Sequence, residues 1–204
     1  MNLARNWKHL CIDMQRLFNE DTPWRVEWMS RVLPNVAEVS ANFPEQTIFT
    51  RFIPPERAQD APGMWAQYYA KWWMMTGEHL PRELLELPAC LARLVPPARI
   101  IDKRIYSPWL EGRLHQSLQQ CGVDTVVLTG GETDVCVLAT VLGAVDLGYR
   151  VLVLEDAVCS GADQTHDAAL RLLGERFSAQ LTLCTTADFL HSKGDVRALT
   201  PPSR

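Results

Sequence analysis

The chain has 204 residues, close to one domain at roughly 150 residues per domain, and it is long enough to bury a core without disulfides or a structural metal. Apolar residues make up 47% and charged residues 22%, which excludes a disordered chain. With 24 acidic against 20 basic residues and no basic tract, no nucleic-acid partner is expected. The longest apolar runs, 135–145 and 151–154, fall short of the ~18–20 residues of a membrane span, so no membrane partner is expected either. Arg5 and Lys8 lead into Asp13, Gln15 and Arg16 and not into the apolar core of a signal peptide.

Taken in chain order, residues 9–13 predict a strand, 28–41 a helix and 47–51 a second strand. Residues 52–97 hold seven of the thirteen prolines, and predict an elaborated loop with a helix near 64–75, part of a single domain over 1–204. A third strand is expected at 99–102 and a helix at 112–121. The β-branched run 125–129 predicts a fourth strand. A helix over 135–147 follows and stops at Gly148. Residues 150–155 read as a fifth strand and 159–161 as a turn. Residues 165–176 read as a helix with Ala168, Leu172 and Leu173 on its inner side. A short strand at 180–184 and a helix opening at 186–190 complete the pattern. Strands that are apolar throughout and alternate with helices predict a three-layer α/β/α fold on a doubly wound, mainly parallel six-stranded sheet.

Sites in such sheets form outside the carboxyl ends of the strands, where the strand order reverses. Asp13 ends the first strand and Lys103 follows the third. After the fourth, Gly130-Gly131-Glu132-Thr133-Asp134-Val135-Cys136 opens a helix. A thiol at a helix N-terminus beside an ammonium is expected to have a lowered pKa. A carboxylate can take and return its proton, and free backbone N–H groups can hold an oxyanion. That set suggests acyl transfer or hydrolysis through a thioester. The same residues also admit a plainer reading. Cysteine in an apolar helix is commonly core, aspartate at a strand end is commonly a turn residue, and Lys103 can be a rim charge.

The six cysteines, at 11, 90, 121, 136, 159 and 184, form no Cys-x-x-Cys. Zinc and dithiol motifs are therefore absent, and a reducing cytoplasm is expected. Arg51, after the second strand, can pair with a substrate carboxylate or with a surface acid. Trp65, Tyr68, Tyr69, Trp72 and Trp73 form either core and subunit-interface cover or an aromatic wall over a pocket.

The segment Gly130 to Thr140, running on through Gly148-Tyr149-Arg150-Val151 and Asp156-Ala157, resembles the isochorismatase-like cysteine hydrolases. Cys11-Ile12-Asp13-Met14-Gln15 with Phe18 is similar to that family's first motif, and Asp102-Lys103-Arg104-Ile105-Tyr106-Ser107 to its second. The resemblance implies a strand order of 3-2-1-4-5-6 and an Asp–Lys–Cys triad carried by Asp13, Lys103 and Cys136. It implies a cis peptide between Gly131 and Glu132, and an oxyanion hole from the N–H groups of Glu132 and Cys136. Gln15, Phe18 and Tyr106 in those motifs, together with Arg51 and Trp65 from the reading of the residues above, are the candidate substrate-pocket residues. No cofactor is expected.

Nicotinamidases of this superfamily carry an Asp-x-His and a further histidine for a metal. None of His9, His79, His115, His166 and His191 follows an aspartate by two positions, so no metal is expected. Siderophore-pathway isochorismatases lack the nucleophilic cysteine that Cys136 supplies here. The expected activity is therefore hydrolysis of a small amide or carbamoyl C–N bond through a thioester, in a homodimer or tetramer. The alternatives are a non-catalytic binding or interaction protein on the same fold, or non-covalent hydrolysis of an isochorismate-like substrate.

Overall fold

A computed structural model describes residues 6–196 and 198–199; Arg5, read above as part of a start without a signal-peptide core, lies outside them. Six strands, β1 (Trp7–Ile12), β2 (Thr47–Phe52), β3 (Arg99–Lys103), β4 (Thr125–Gly131), β5 (Arg150–Cys159) and β6 (Leu181–Cys184), form one sheet. Every pairing is parallel and the order is β3-β2-β1-β4-β5-β6, as the family resemblance implies. Along the central strands alternate residues feed opposite faces, following the period of two in a pleated strand. Cys11, Val127 and Leu152 enter one core; Leu10, Ile12, Val126, Leu128, Val151 and Val153 enter the other. The first core is covered by α1 (Arg16–Asn19), α2 (Met29–Asn42), α3 (Met64–Lys71), α4 (Ala89–Ala92) and α8 (Thr186–His191), and the second by α5 (Arg113–Gln120), α6 (Leu138–Asp146) and α7 (Asp163–Arg176). These are the three layers.

Two elements depart from the sequence-based expectation in ways that bear on the site. The fifth strand does not stop at residue 155. The pairing of β4 and β5 is irregular: Leu128 opposes Val153, yet Gly130 opposes Val158. The exposed pair Glu155 and Asp156 bulges out, where the Asp156 carboxylate accepts hydrogen bonds from the Thr186 N–H (2.7 Å) and hydroxyl (2.8 Å) at the start of α8. The strand then re-enters the sheet through Ala157–Cys159, so the expected turn begins a residue later, at Ser160. Helix α7 is rotated by about one position from the expected face. Ala169 and Leu173 are buried, whereas Ala168 is exposed and Leu172 is 44% exposed. The packing contact is thus the i, i+4 pair 169/173.

The elaborated segment holds α3, a 3-10 turn at Trp73–Met75 and further short turns. It is tied to the sheet by the Gln15 side chain, which accepts from the Phe52 N–H at 2.6 Å and donates to the Phe52 and Leu85 carbonyls at 3.2 and 2.8 Å. At the reversal between β1 and β4, Gly130 has φ of 107°, and a Cβ there would sit 2.1 Å from the Ile12 carbonyl oxygen. Only glycine lets the two strand ends approach so closely.

Candidate active site

Three residues from separate elements converge at this reversal. Asp13 follows β1 with φ of 49°, a left-handed turn that takes the chain out of the sheet. Its N–H donates to the Thr50 hydroxyl (3.1 Å), and that hydroxyl donates to Asp13 Oδ1 (2.6 Å). This fixes the carboxylate and leaves Oδ2 for its other neighbours. Lys103 ends the edge strand β3, opposite Phe52 at the end of β2. Its ammonium passes over the Phe52 ring, 4.9 Å from the centroid, and reaches Asp13 Oδ2 at 2.6 Å. A bond to the Ile105 carbonyl at 3.1 Å holds it further.

Cys136 lies in a π-helical turn, Thr133–Val137, that precedes α6. The expected continuous helix is therefore split at the thiol. The Val137 N–H reaches back five residues to the Glu132 carbonyl at 3.0 Å, a wide turn of the kind found at functional sites. Cys136 Sγ accepts from Lys103 Nζ at 3.4 Å, and the Asp13 carboxylate is near enough to bear on the charge of the thiol.

Burial governs the electrostatics of this cluster. Asp13, Lys103 and Cys136 are 1%, 3% and 7% exposed. Burial alone would push the Lys103 ammonium down, but the facing Asp13 carboxylate and Cys136 outweigh it and hold its pKa above the usual lysine value. The thiol departs from the sequence-based expectation of a lowered pKa. Burial first, and then Asp13, push Cys136 well above the ordinary thiol range, and Lys103 offsets only part of that. The resting form is the thiol, with an ion pair between Asp13 and Lys103. Alkylation tests this directly. At pH 7 iodoacetamide should modify the exposed Cys121 before Cys136, and the Cys136 rate should keep rising as the pH is taken above the ordinary thiol range. Peptide mass mapping across pH reads both, and faster labelling of Cys136 at neutral pH would mean a resting thiolate.

The thiol opens into a cavity of about 360 Å³. Of the sequence-derived pocket candidates, Phe18 and Tyr106 line it. The structure does not place the other three there. Gln15 is fully buried and spends its amide on the Phe52 and Leu85 backbone. Arg51 is held by Asp102 at 2.7 and 2.9 Å and by Glu86 at 2.7 Å, and lines a separate groove. Trp65 stands behind the wall, its ring 4.9 Å from that of Tyr106. Tyr68 and Trp72 do line the cavity, as the aromatic-wall reading has it, whereas Tyr69 is core. Sequence reasoning missed Pro23, Trp24, Arg25, Phe52 and Val135. For Pro23–Arg25 a signal existed: an aromatic and a cation in the loop immediately after the Asp13 motif, at the carboxyl edge of the sheet.

The Gly131–Glu132 peptide is cis. The Glu132 side chain enters the cavity lining and accepts from the Gly161 N–H at 3.2 Å. Burial pushes its carboxyl above the usual glutamate value, helped by Asp134 and Asp13, with the Gly161 N–H partly opposing. Ser160 bonds Asp134 (2.5 Å) and His166 bonds Thr133 (2.9 Å), so the loop after β5 and helix α7 brace the turn that carries the thiol.

The Isochorismatase domain pattern matches residues 9–187, which include all three converging residues. The chain belongs to the isochorismatase family. YwoC of Bacillus subtilis, described as an isochorismatase family protein, is 27% identical over 171 residues, 81% of this chain and 85% of its own. Among solved structures, a cysteine hydrolase from Pseudomonas syringae has a TM-score of 0.80 at 22% identity, covering 93% of this chain and 92% of its own. N-carbamoylsarcosine amidase from Thermoplasma acidophilum has a TM-score of 0.70 at 20% identity, covering 88% and 96%. The chain is thus an isochorismatase-family hydrolase. Among the described residues no group of three or more His, Cys, Asp or Glu is placed to hold an ion. The buried His9 is held between the Thr47 and Thr129 hydroxyls at 3.0 and 2.8 Å.

Proposed function

We propose that this hydrolase cleaves the C–N bond of a small amide or carbamoyl compound through a thioester on Cys136, with Asp13 as proton acceptor and donor and Lys103 as the fixed cation. The observation that supports it is the meeting of Lys103 with Asp13 at 2.6 Å and with Cys136 at 3.4 Å at the foot of a cavity. The raised thiol pKa supports a first step in which the proton leaves as the sulfur attacks. Cys136 passes its proton to Asp13 as Sγ adds to the carbonyl carbon, and the negative charge moves from the Asp13 carboxylate to the carbonyl oxygen, so the net charge of the site is unchanged. The oxyanion is taken by the N–H groups of Glu132 and Cys136. The C–N bond then breaks as Asp13 gives its proton to the leaving nitrogen. A water attacks the thioester and loses a proton to Asp13. The C–S bond breaks, and Asp13 returns the proton to the sulfur. Two protons enter Asp13 and two leave, so the cycle closes without a metal or redox partner.

Ammonia release from a panel of small primary amides and carbamoyl compounds tests this reading. Intact mass should show an acyl adduct that maps to Cys136. Turnover without an adduct, retained in Cys136→Ala, would support non-covalent hydrolysis in its place.

Two coarser aspects belong to the same reading. All six cysteines are free, which suits a reducing cytoplasm, and among the described residues no helix is long and apolar enough to cross a membrane. Exposed apolar side chains at Met64 (71%), Trp73 (53%) and Leu110 (76%) support assembly as a homodimer or tetramer. Light scattering at micromolar concentration should return a multiple of 23.1 kDa; a monomer mass would remove the assembly.

A further inference from the structure

The cavity above Cys136 is unusual in what lines it. Six aromatic residues, Phe18, Trp24, Phe52, Tyr68, Trp72 and Tyr106, form its walls. They are one connected set around Trp24, whose ring centroid lies 6.3 Å from Phe18, 6.0 Å from Phe52, 6.0 Å from Tyr68 and 6.3 Å from Trp72. Tyr106 joins through Phe52 at 6.5 Å. Set into this wall is one carboxylate, Glu132, which accepts from the uncharged Gly161 N–H. The inner charges can be counted. Asp13 and Lys103 cancel as an ion pair, the thiol is neutral at rest, and Glu132 leaves an excess of one negative charge. Arg25 belongs to the exposed rim, where water and salt screen it. Lys103 and Lys71 already lie over the Phe52 and Trp72 rings; aromatic faces carry negative quadrupoles, and the remaining rings, Phe18, Trp24, Tyr68 and Tyr106, with a nearby carboxylate make a site for an organic cation.

We infer that the substrate carries a cationic nitrogen, an alkylammonium group a few bonds from the scissile amide, held by the aromatic wall and paired with Glu132. This rests on the amidase reading and narrows its substrate class. It also resolves a conflict in the mechanism. The oxyanion forms beside the Glu132 backbone, and an unpaired carboxylate there would oppose it; a bound cation offsets that repulsion in the transition state. Glu132 is thereby a specificity-determining residue as well as part of the turn.

Three amides of similar size but different charge test this: γ-aminobutyramide (cationic), valeramide (neutral) and succinamate (anionic). Wild type should show a kcat/KM for γ-aminobutyramide higher than for valeramide by about tenfold or more, with succinamate slowest. Glu132→Gln keeps an oxygen for the Gly161 N–H and removes only the charge, so a purely bracing role would slow all three alike. The expected result is that the cation-to-neutral ratio falls to within about threefold of one. A wild-type preference for valeramide or succinamate, or a ratio that survives Glu132→Gln, overturns the inference. Binding keeps it separable from the amidase reading. In Cys136→Ala, tetramethylammonium chloride should quench tryptophan fluorescence saturably against a sodium chloride control, and the added Glu132→Gln change should abolish the effect. Cation binding without amide turnover would sink the amidase reading alone. Amide turnover without cation preference or binding would sink this inference alone.

Discussion

Cys136→Ala and Asp13→Asn each lower kcat by on the order of 10³-fold or more on the amide identified by the panel, with substrate still bound. Alanine removes the only atom that can form the thioester. Asparagine keeps the shape and an oxygen for the Thr50 hydroxyl, but it cannot accept the thiol proton. Burial, the first cause of the raised thiol pKa, persists in that variant, and without the Asp13 carboxyl nothing at the site returns a proton to the leaving nitrogen. The two residues act in one proton transfer, so their effects do not add. The double variant should be within a few-fold of the worse single one. Initial rates on the single and double variants, with binding checked by thermal shift, measure this. Near-wild-type turnover by Cys136→Ala would refute the covalent route.

Lys103→Met is expected to cost both stability and activity. Methionine fills the stem of the side chain but leaves the Asp13 carboxylate, 1% exposed, without its counter-ion at 2.6 Å. Breaking a buried pair on one side costs about 3–5 kcal/mol, because the remaining charge stays desolvated. For a chain of this size that is a fall in Tm of roughly 10 °C. Asp13→Asn with Lys103→Met should recover part of the loss, since neither charge is then left alone, but it should recover no activity. Denaturant unfolding of the two single variants and the double variant gives the coupling. A Lys103→Met protein as stable as wild type would show that the pair is not desolvated.

Several features of the site were visible in the residues themselves. Asp13, Lys103 and Glu132–Cys136 each follow a β-branched or apolar run, and the chain leaving a parallel strand at its carboxyl end must emerge on one edge of the sheet. The alternation of short apolar strands with helices dictates a parallel sheet because a crossover needs a helix to cover the face. Gly130 and Gly148 mark positions where positive φ is required, at 107° and 83°. These are local properties, set by side-chain chemistry and backbone sterics within a few residues.

What the residues could not say depends on distance through space. Arg51 looked able to bind a carboxylate, and only the fold decides that Asp102 on the next strand and Glu86 in the elaborated segment take its guanidinium. Gln15 looked like a pocket residue until the backbone of Phe52 and Leu85 closed around it. Glu155 and Asp156 suggested the end of a strand, yet a bulge carries the sheet past them because α8 offers Asp156 a helix start. The direction of the Cys136 pKa is the clearest case. A helix N-terminus and a lysine argue for a thiolate, and both are readable in sequence, but desolvation is a property of everything packed around the sulfur and here it prevails. The sequence determined which groups meet the substrate edge of the sheet. The tertiary structure decided which of them water can still reach, and so which are charged and which are free to react.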